Sequence, residues 1–192
     1  GRIRGTMERL LDLFEEPEPG AVEDFLERIP MVSRIAIFSP HGWFGQENVL
    51  GRPDTGGQIV YILDQVRALE QAMSRSLEES GLEHVQPQVL VLTRLIPQSE
   101  GTSCHEPRER IVGTRNAWIM RVPFRNPDGS VHPTWISRFE VWPYLEQFAL
   151  ECQQLLEQEC QGRPDAIIGN YSDGCLVASL VATWMGVIQV NI

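Results

Sequence analysis

Hydrophobic and polar positions follow two patterns that alternate along most of the chain. Short apolar runs of five or six residues are separated by stretches in which apolar residues recur every three or four positions. A run that is apolar throughout is typical of a strand buried on both faces of a parallel sheet, whereas the second spacing indicates an amphipathic helix. The runs that predict strands are RIAIFS (34–39), QVLVLT (88–93), AWIMRV (117–122), DAIIGN (165–170) and VIQVN (187–191).

Helical patterns fill the intervals between these runs. Apolar positions recur at helical steps over residues 59–77, with polar residues between them. A long helix is predicted from about Phe139 to Gln161, and another over residues 173–186. The alternation of strand and helix predicts an α/β fold with a doubly wound parallel sheet. Residues 97–116 show little periodicity and are predicted to form a long loop.

Two short helices are predicted ahead of the first strand. Apolar residues form one stripe over residues 3–14, which the prolines of EEPEPG end, and a second over residues 22–29, which Pro30 ends. A domain with its own start rarely opens on two such helices. We therefore interpret residues 1–32 as a helical lead-in from an upstream domain and residues 33–192 as the α/β domain.

Composition and charge narrow the class of protein. The chain has 192 residues, of which 42% are apolar and 22% charged, as is typical of a globular domain of ordinary size. No apolar run approaches the roughly eighteen residues of a membrane span, and the N-terminus lacks the apolar core of a signal peptide. The net charge of −10 argues against nucleic acid as a partner. A cytoplasmic location is expected.

The four cysteines indicate neither a metal site nor a disulfide framework. They form no C-x-x-C pair and show no metal-ligand spacing with the histidines. We interpret them as free thiols in a reducing compartment. They are Cys104, Cys152, Cys160 and Cys175.

The segment SPHGWFGQENVLGRPDTGGQIVYILDQVRALE, residues 39–70, links the first strand to the first long helix. It places two adjacent glycines, Gly56 and Gly57, at the predicted start of that helix. A helix N-terminus beyond the carboxyl end of a parallel strand suits a phosphate, and glycines allow close approach of a ligand and tolerate positive φ. Asp54 and Thr55 are predicted to cap the helix.

Two other interpretations of this loop stay open. The glycines could serve turns alone, and His41, directly after the strand, could be a structural histidine instead of a ligand contact. The spacing is neither the dinucleotide G-x-G-x-x-G nor the G-K-[ST] of a P-loop. Nicotinamide binding and Walker-type phosphate binding are therefore both disfavoured.

Residues 39–70 resemble the corresponding block of the sucrose synthases, a family of retaining GT-B glycosyltransferases. The resemblance continues in the family's order through LTRLIP, GTSC, RVPFR, WISRFEVWPYLE and IIGNYSDG, and it includes the lead-in LLDLFEEPEP. It therefore covers almost the whole chain. Sucrose-phosphate synthases share the HG…LG…DTGGQ framework but are less similar in GWFGQENVLGRPD and RFEVWPYLE.

The resemblance implies a reversible transfer, in which sucrose and a nucleoside diphosphate give nucleotide-activated glucose and fructose. It implies two Rossmann-like domains that face each other across a cleft, and residues 33–192 would be the N-terminal one, on the acceptor side. The substrates would include UDP or ADP and their glucose conjugates, with no cofactor and no metal. A homotetramer is expected from the family.

By resemblance, five residues of this chain bind substrate. Gly56 and Gly57 would present N–H groups to the diphosphate, and Gln58 would hydrogen-bond the fructose or the transferred sugar. His41 would contact hydroxyls of the acceptor. Asn170, with YSDG after it, would border the cleft. No catalytic residue is expected in this segment.

Two features depart from the family's pattern. Cys175 stands where the family usually has asparagine, and a thiol is a weaker hydrogen-bonding group than an amide. The chain ends at Ile192, ahead of the family's Ala-His pair and of its C-terminal domain. The expectation is therefore a piece of an enzyme that is inactive by itself.

Two other functions stay open. A transferase like the sucrose-phosphate synthases would use a phosphorylated fructose, and a cationic cluster near the glycines would favour it. In the sequence only Arg52 is close to the glycines, which favours unphosphorylated fructose. The second alternative is a non-catalytic module that binds a sugar or a nucleotide sugar.

Overall fold

The computed structural model describes residues 32–192, and its centre is one six-stranded sheet. The strands are β1 Arg34–Phe38, β2 Gln88–Leu95, β3 Arg108–Arg110, β4 Ala117–Pro123, β5 Ala166–Gly169 and β6 Ile188–Asn191. Their order across the sheet is β3-β4-β2-β1-β5-β6. Every neighbouring pair is parallel except β3 with β4, which is antiparallel.

Helices cover both faces of this sheet. They are α1 Gly57–Glu79, α2 Leu145–Glu159 and α3 Tyr171–Met185. Along β1 the side chains alternate: Ile35 and Ile37 enter the core that contains α1, whereas Ala36 and Phe38 enter the core that contains α2 and α3. A strand covered on both sides has to be apolar at every position, which is why these strands are readable as apolar runs. The predicted doubly wound α/β fold is confirmed.

The predicted boundaries agree closely for five strands and for the last helix. Each of those strands begins and ends within two residues of its predicted run, and α3 ends at Met185 with Gly186 as its C-cap. Gly186 has φ 64° and ψ 45°, the left-handed conformation in which glycine ends helices at little cost.

The position of β1 creates a crevice at the carboxyl edge of the sheet. From β1 the chain passes through α1 to β2 on one side, and it later returns through α2 to β5 on the other side. The connections that follow β1 and β5 therefore diverge to opposite faces of the sheet. In open α/β sheets, ligands bind in the crevice at such a switch point.

The predicted loop of residues 97–116 contains one strand, so the prediction is wrong there. β3 has the sequence Arg-Glu-Arg, which carries no apolar signal, and it pairs with the edge of β4. Its Glu109 carboxylate accepts hydrogen bonds from Ser103 Oγ at 2.6 Å, from Gln46 Nε2 at 2.7 Å and from the Arg121 guanidinium of β4. This strand exists through contacts across the sheet, which a local pattern does not reveal.

The long helix predicted from Phe139 begins later than expected. A 3-10 turn occupies Trp142–Tyr144, and α2 starts only at Leu145. The preceding residues turn back instead, because the backbone N–H of Arg138 donates to Asp54 Oδ2 at 2.8 Å. This bond ties the segment before α2 to the loop that follows β1.

The two helices predicted within residues 1–32 fall almost entirely outside the described residues, and they stay a prediction together with the boundary at residue 32. Among the helices that are described, none has both the length and the apolar content that crossing a bilayer requires.

Three of the four cysteines belong to the two cores. Cys152 and Cys160 lie in the core with α2 and α3, and Cys104 lies in the core with α1. Burial raises the pKa of all three thiols, that of Cys160 to about 11. At neutral pH these thiols are therefore protonated packing groups of low reactivity.

Candidate functional site

The loop after β1 folds back on itself so that its end lies beside its beginning. Gly42 has φ 77°, and a Cβ there would lie 2.4 Å from the carbonyl oxygen of Asp54, so no other residue fits. The N–H of Trp43 donates to Thr55 Oγ1 at 2.9 Å and holds the two ends together. This contact brings the start of α1 next to the end of β1, at the switch point of the sheet.

A cleft of about 360 Å³ opens at this point. It is lined by His41, Arg52, Asp54, Thr55, Gly56, Gly57, Gln58, Arg138 and Tyr171. Four of the five residues predicted to bind substrate, all except Asn170, therefore lie around one cleft.

The glycine pair forms the open mouth of α1. A Cβ built on Gly56 or Gly57 would have no other residue of residues 32–192 within 4 Å, so the space beside the pair is free. Gly56 has φ −108°, and Gly57 does not have a positive φ either. Conformational freedom is thus not the reason for this pair, and that part of the prediction is wrong. Room for a group outside the chain is the reason that the geometry supports.

The predicted capping of α1 by Asp54 or Thr55 is also wrong. The N-cap is Gly56, and no side chain in the described part of the chain bonds to the first N–H groups of the helix. Asp54 and Thr55 instead bond to Arg138 N and Trp43 N. The N-terminal N–H groups of α1 therefore face the cleft without a side-chain acceptor, as an anion site requires.

His41 lies between two polar side chains at the base of the cleft. Its Nδ1 is 2.7 Å from Asp173 Oδ2, and its Nε2 is 2.8 Å from Gln58 Oε1. The amide of Gln58 is held from its other end, because Nε2 donates to Ser39 Oγ at 2.7 Å. The Tyr171 ring packs edge-to-face on the imidazole, with 5.2 Å between ring centroids. His41 and Asp173 are 5% and 4% exposed, so this chain of contacts is largely shielded from water.

Two glycines allow α3 to come close enough for the contact between Asp173 and His41. A Cβ on Gly174 would lie 2.6 Å from the carbonyl oxygen of Phe38, at the end of β1. A Cβ on Gly169 would lie 2.6 Å from Cys175 Cα. Any side chain at either position would push the first turn of α3 away from the sheet, and Asp173 would move with it.

Asn170 lies at the carboxyl end of β5 but does not line the cleft. The residue is only 2% exposed, its N–H donates to Phe38 O at 3.1 Å, and its Nδ2 has no partner among residues 32–192. Cys175 does not line the cleft either: its thiol lies 3.3 Å from the carbonyl oxygen of Gly169. The departure from asparagine at this position therefore faces the backbone of β5.

Two guanidinium groups lie at the cleft, although the sequence placed only Arg52 near the glycines. Arg52 is occupied: it donates to the Glu100 carboxylate at 2.9 Å and packs over the Trp43 ring at 4.5 Å. Arg138 packs over the Phe139 ring at 5.1 Å, and no carboxylate of the described residues pairs with it. Arg138 is thus the cation at this cleft that is available to a ligand.

Three residues of the site were not assigned a role from the sequence: Asp173, Tyr171 and Arg138. Tyr171 and Asp173 belong to the YSDG segment that was expected to border the cleft, which was the available signal. Arg138 gave none, because it lies far from the glycine loop in the sequence and reaches it only through its bond to Asp54.

A doubly wound sheet with an uncapped, glycine-rich helix mouth at its switch point is the arrangement of a Rossmann-like domain that binds a nucleotide or a sugar. Among solved structures, the chain is similar to a sucrose-phosphate synthase from Thermosynechococcus elongatus, with a TM-score of 0.56 over 82% of this chain and 32% of that chain. The sequence identity is 18%, so this likeness shows the shared fold alone.

Residues 20–192 match the family model described as the sucrose synthase first GT-B domain, and the chain belongs to that family. It is 57% identical over 192 residues to a sucrose synthase of Acidithiobacillus caldus, and 55% identical over 192 residues to sucrose synthase 4 of Oryza sativa. Over 191 residues it is 57% identical to sucrose synthase 2 of Arabidopsis thaliana. Each match covers all of this chain and 23–24% of the relative, so the chain spans about a quarter of the length of these proteins.

Proposed function

We propose that this domain is the acceptor-side wall of a sucrose synthase, which transfers glucose reversibly between sucrose and a nucleoside diphosphate. The observation that carries the proposal is the cleft itself, where the open glycine pair of α1 lies beside a polar set formed by His41, Gln58 and Tyr171. A diphosphate and a sugar are the two chemistries that these groups suit. Membership of the sucrose synthase family supports the same reaction.

Each cleft residue has a role in this proposal. The N–H groups at Gly56 and Gly57 receive the diphosphate, on which negative charge builds up as the glycosidic bond breaks, and preorganised donors stabilise that charge. The amide of Gln58 binds sugar hydroxyls. Both ring nitrogens of His41 already have partners, so His41 acts on the acceptor chiefly through Gln58. Asn170 stays a candidate donor, since it precedes Tyr171 at the cleft and its Nδ2 is unpartnered.

The remaining predictions about the whole protein belong to this proposal. A second GT-B domain would form the other wall of the cleft and supply the rest of the nucleotide site. The protein would use UDP or ADP without a cofactor or a metal, assemble as a homotetramer and work in the cytoplasm. The family resemblance supports these statements.

Arg138 favours one alternative. An unpaired guanidinium at a sugar cleft would suit a phosphorylated acceptor, which is the substrate expected of a transferase like the sucrose-phosphate synthases. A guanidinium also donates to neutral hydroxyls, so its presence is compatible with fructose. The family match weighs toward fructose.

The experiment compares the two acceptors directly. The full-length protein is assayed for synthesis from UDP-glucose or ADP-glucose with fructose or fructose 6-phosphate, and for fructose release from sucrose. We expect kcat/KM for fructose to exceed that for fructose 6-phosphate at least tenfold. The opposite ratio would establish the phosphorylated acceptor, and no turnover in any combination would leave a binding module.

A further inference from the structure

We propose that Asp173 is a positioning residue for the acceptor: through His41 it sets the orientation in which the side-chain amide of Gln58 faces the cleft. This inference rests on the proposed function, because the acceptor is the sugar named there. Its structural part, the coupling of Asp173 to Gln58 through the imidazole, has a readout that does not depend on turnover.

The first step is the contact between Asp173 and His41. An ionised carboxylate can only accept hydrogen bonds, so at 2.7 Å from Asp173 Oδ2 the Nδ1 of His41 carries the proton. Asp173 lies in the first turn of α3, where the partial positive charge of the helix N-terminus favours a carboxylate. Both groups are at most 5% exposed, so water does not compete for the bond.

The second step passes from His41 to Gln58. With Nδ1 protonated, Nε2 either accepts from the amide N–H of Gln58 or, when the ring carries a second proton, donates to its Oε1. The arrangement that Asp173 excludes is the third one, in which Nε2 alone is protonated and Nδ1 carries a lone pair. That lone pair would face the carboxylate oxygens, which are acceptors too.

The third step concerns what the amide offers to a ligand. Gln58 contacts His41 Nε2 on one side and Ser39 Oγ on the other, so its amide plane is fixed at both ends. Each contact uses one N–H or one lone pair. One further N–H and one further lone pair are therefore left for sugar hydroxyls, in directions that the His41 contact determines.

The obvious alternative is that Asp173 merely supports the fold. Among the described residues, its side chain bonds to His41 and not to the N–H groups that begin α3, so it does not act as a cap. The close approach of α3 to β1 is secured separately by Gly174 and Gly169. Removal of the charge should therefore alter His41 and Gln58 more than it alters the packing of the helix.

The kinetic experiment uses Asp173→Asn in the full-length protein. An asparagine can turn its amide N–H toward Nδ1 and so permits the excluded tautomer. We expect KM for fructose to rise at least tenfold, with KM for the nucleotide sugar changed less than twofold. The matched control is Asp165→Asn at the opposite end of β5, where the carboxylate bonds to the N–H groups of Ser33 and Arg34. Equal changes in both KM values for Asp173→Asn would overturn the proposal.

Two further measurements separate positioning from a general loss of structure. In a double-mutant cycle, Asp173→Asn should have no additional effect on KM for fructose once His41→Phe has removed the ring nitrogens, whereas independent effects that multiply would contradict the mechanism. Nitrogen NMR of His41 should show a protonated Nδ1 in the parent chain and an Nε2-protonated tautomer in Asp173→Asn. An unprotonated Nδ1 in the parent chain would overturn the proposal even if sucrose synthesis were demonstrated. Failure of the activity assay with the expected NMR result would instead reject the proposed function.

Discussion

Glycines serve two opposite purposes around the cleft. At Gly42, Gly169 and Gly174 the missing side chain makes room for another part of the same chain, with distances of 2.4–2.6 Å from a built Cβ to the nearest atom. At Gly56 and Gly57 no atom of the described chain occupies the corresponding space. Substitution in the first group should therefore damage the fold, whereas substitution in the second should damage ligand binding.

Gly57→Val tests this distinction. The new side chain meets no residue of the described structure, so the thermal midpoint should change by no more than a few degrees, while sucrose cleavage by the full-length protein should fall at least tenfold, or about 1.4 kcal/mol. The matched control is Ala72→Val on the exposed side of α1, which introduces the same β-branched residue into the same helix. Normal activity of Gly57→Val would show that no ligand approaches the backbone there.

At the scale of elements, the edge of the sheet depends on one buried ionic network. Arg121 of β4 is fully buried, and it binds Glu109 of β3 together with the carbonyl oxygens of Phe44 and Glu106. Burial by itself would raise the pKa of Glu109, but hydrogen bonds from Arg121, Ser103 and Gln46 outweigh it and leave the pKa below its ordinary value. The network joins β3, β4 and the loop after β1.

This lowered pKa predicts a pH dependence of stability. A carboxylate with a lowered pKa in the folded state stabilises the fold above its unfolded pKa of about 4.5, and this contribution is lost as the pH falls through the folded pKa. Glu109→Gln should lower the free energy of unfolding at pH 7 by about 3 kcal/mol, because it leaves the Arg121 charge buried without its partner.

Urea unfolding of both proteins at pH 7 and at pH 3 tests this dependence, and the difference between them should shrink at the lower pH. The control is Glu100→Gln, whose carboxylate pairs with Arg52 at the surface and should contribute less than about 1 kcal/mol. A difference for Glu109→Gln that is the same at both pH values would contradict the role of its charge.

Elements and sites differ in how far the sequence predicts them. β1, β2 and β4 could be predicted because each is apolar along its length, whereas β3 could not, because Arg108–Arg110 becomes a strand only through its partners in β4. His41 and Gln58 were found because they share one loop with the glycines. Asp173 received no role because 132 residues separate it from His41, and only the topology of the sheet brings the two together.

At the scale of the whole molecule, the described part presents one wall of a cleft. Transfer of a glucosyl group requires donor and acceptor to be held together by groups on both sides, and such positioning supplies roughly 7–11 kcal/mol of the barrier in favourable cases. One open wall provides only part of this effect, whatever the quality of its glycine mouth.

Residues 1–192 made alone should therefore show no conversion of sucrose with UDP or ADP. Their affinity for either nucleotide should be millimolar at best, since only the helix mouth contributes to binding. Isothermal titration together with a coupled assay for released fructose measures both properties, and the full-length protein serves as the positive control. Micromolar binding or clear turnover would mean that this wall holds more of the site than we assign to it.

The close seat of α3 on the end of β1 also determines how this wall can move. Gly174 leaves no gap between helix and strand, and hydrogen bonds of 2.7–2.8 Å link α3 to His41 and His41 to the first turn of α1. Both helix mouths are thereby clamped to the same strand end, like two spokes fixed to one hub. Any opening or closing around a substrate must then swing the wall as a rigid plate about a hinge outside it, and the sugar-binding groups travel together with their spacing unchanged.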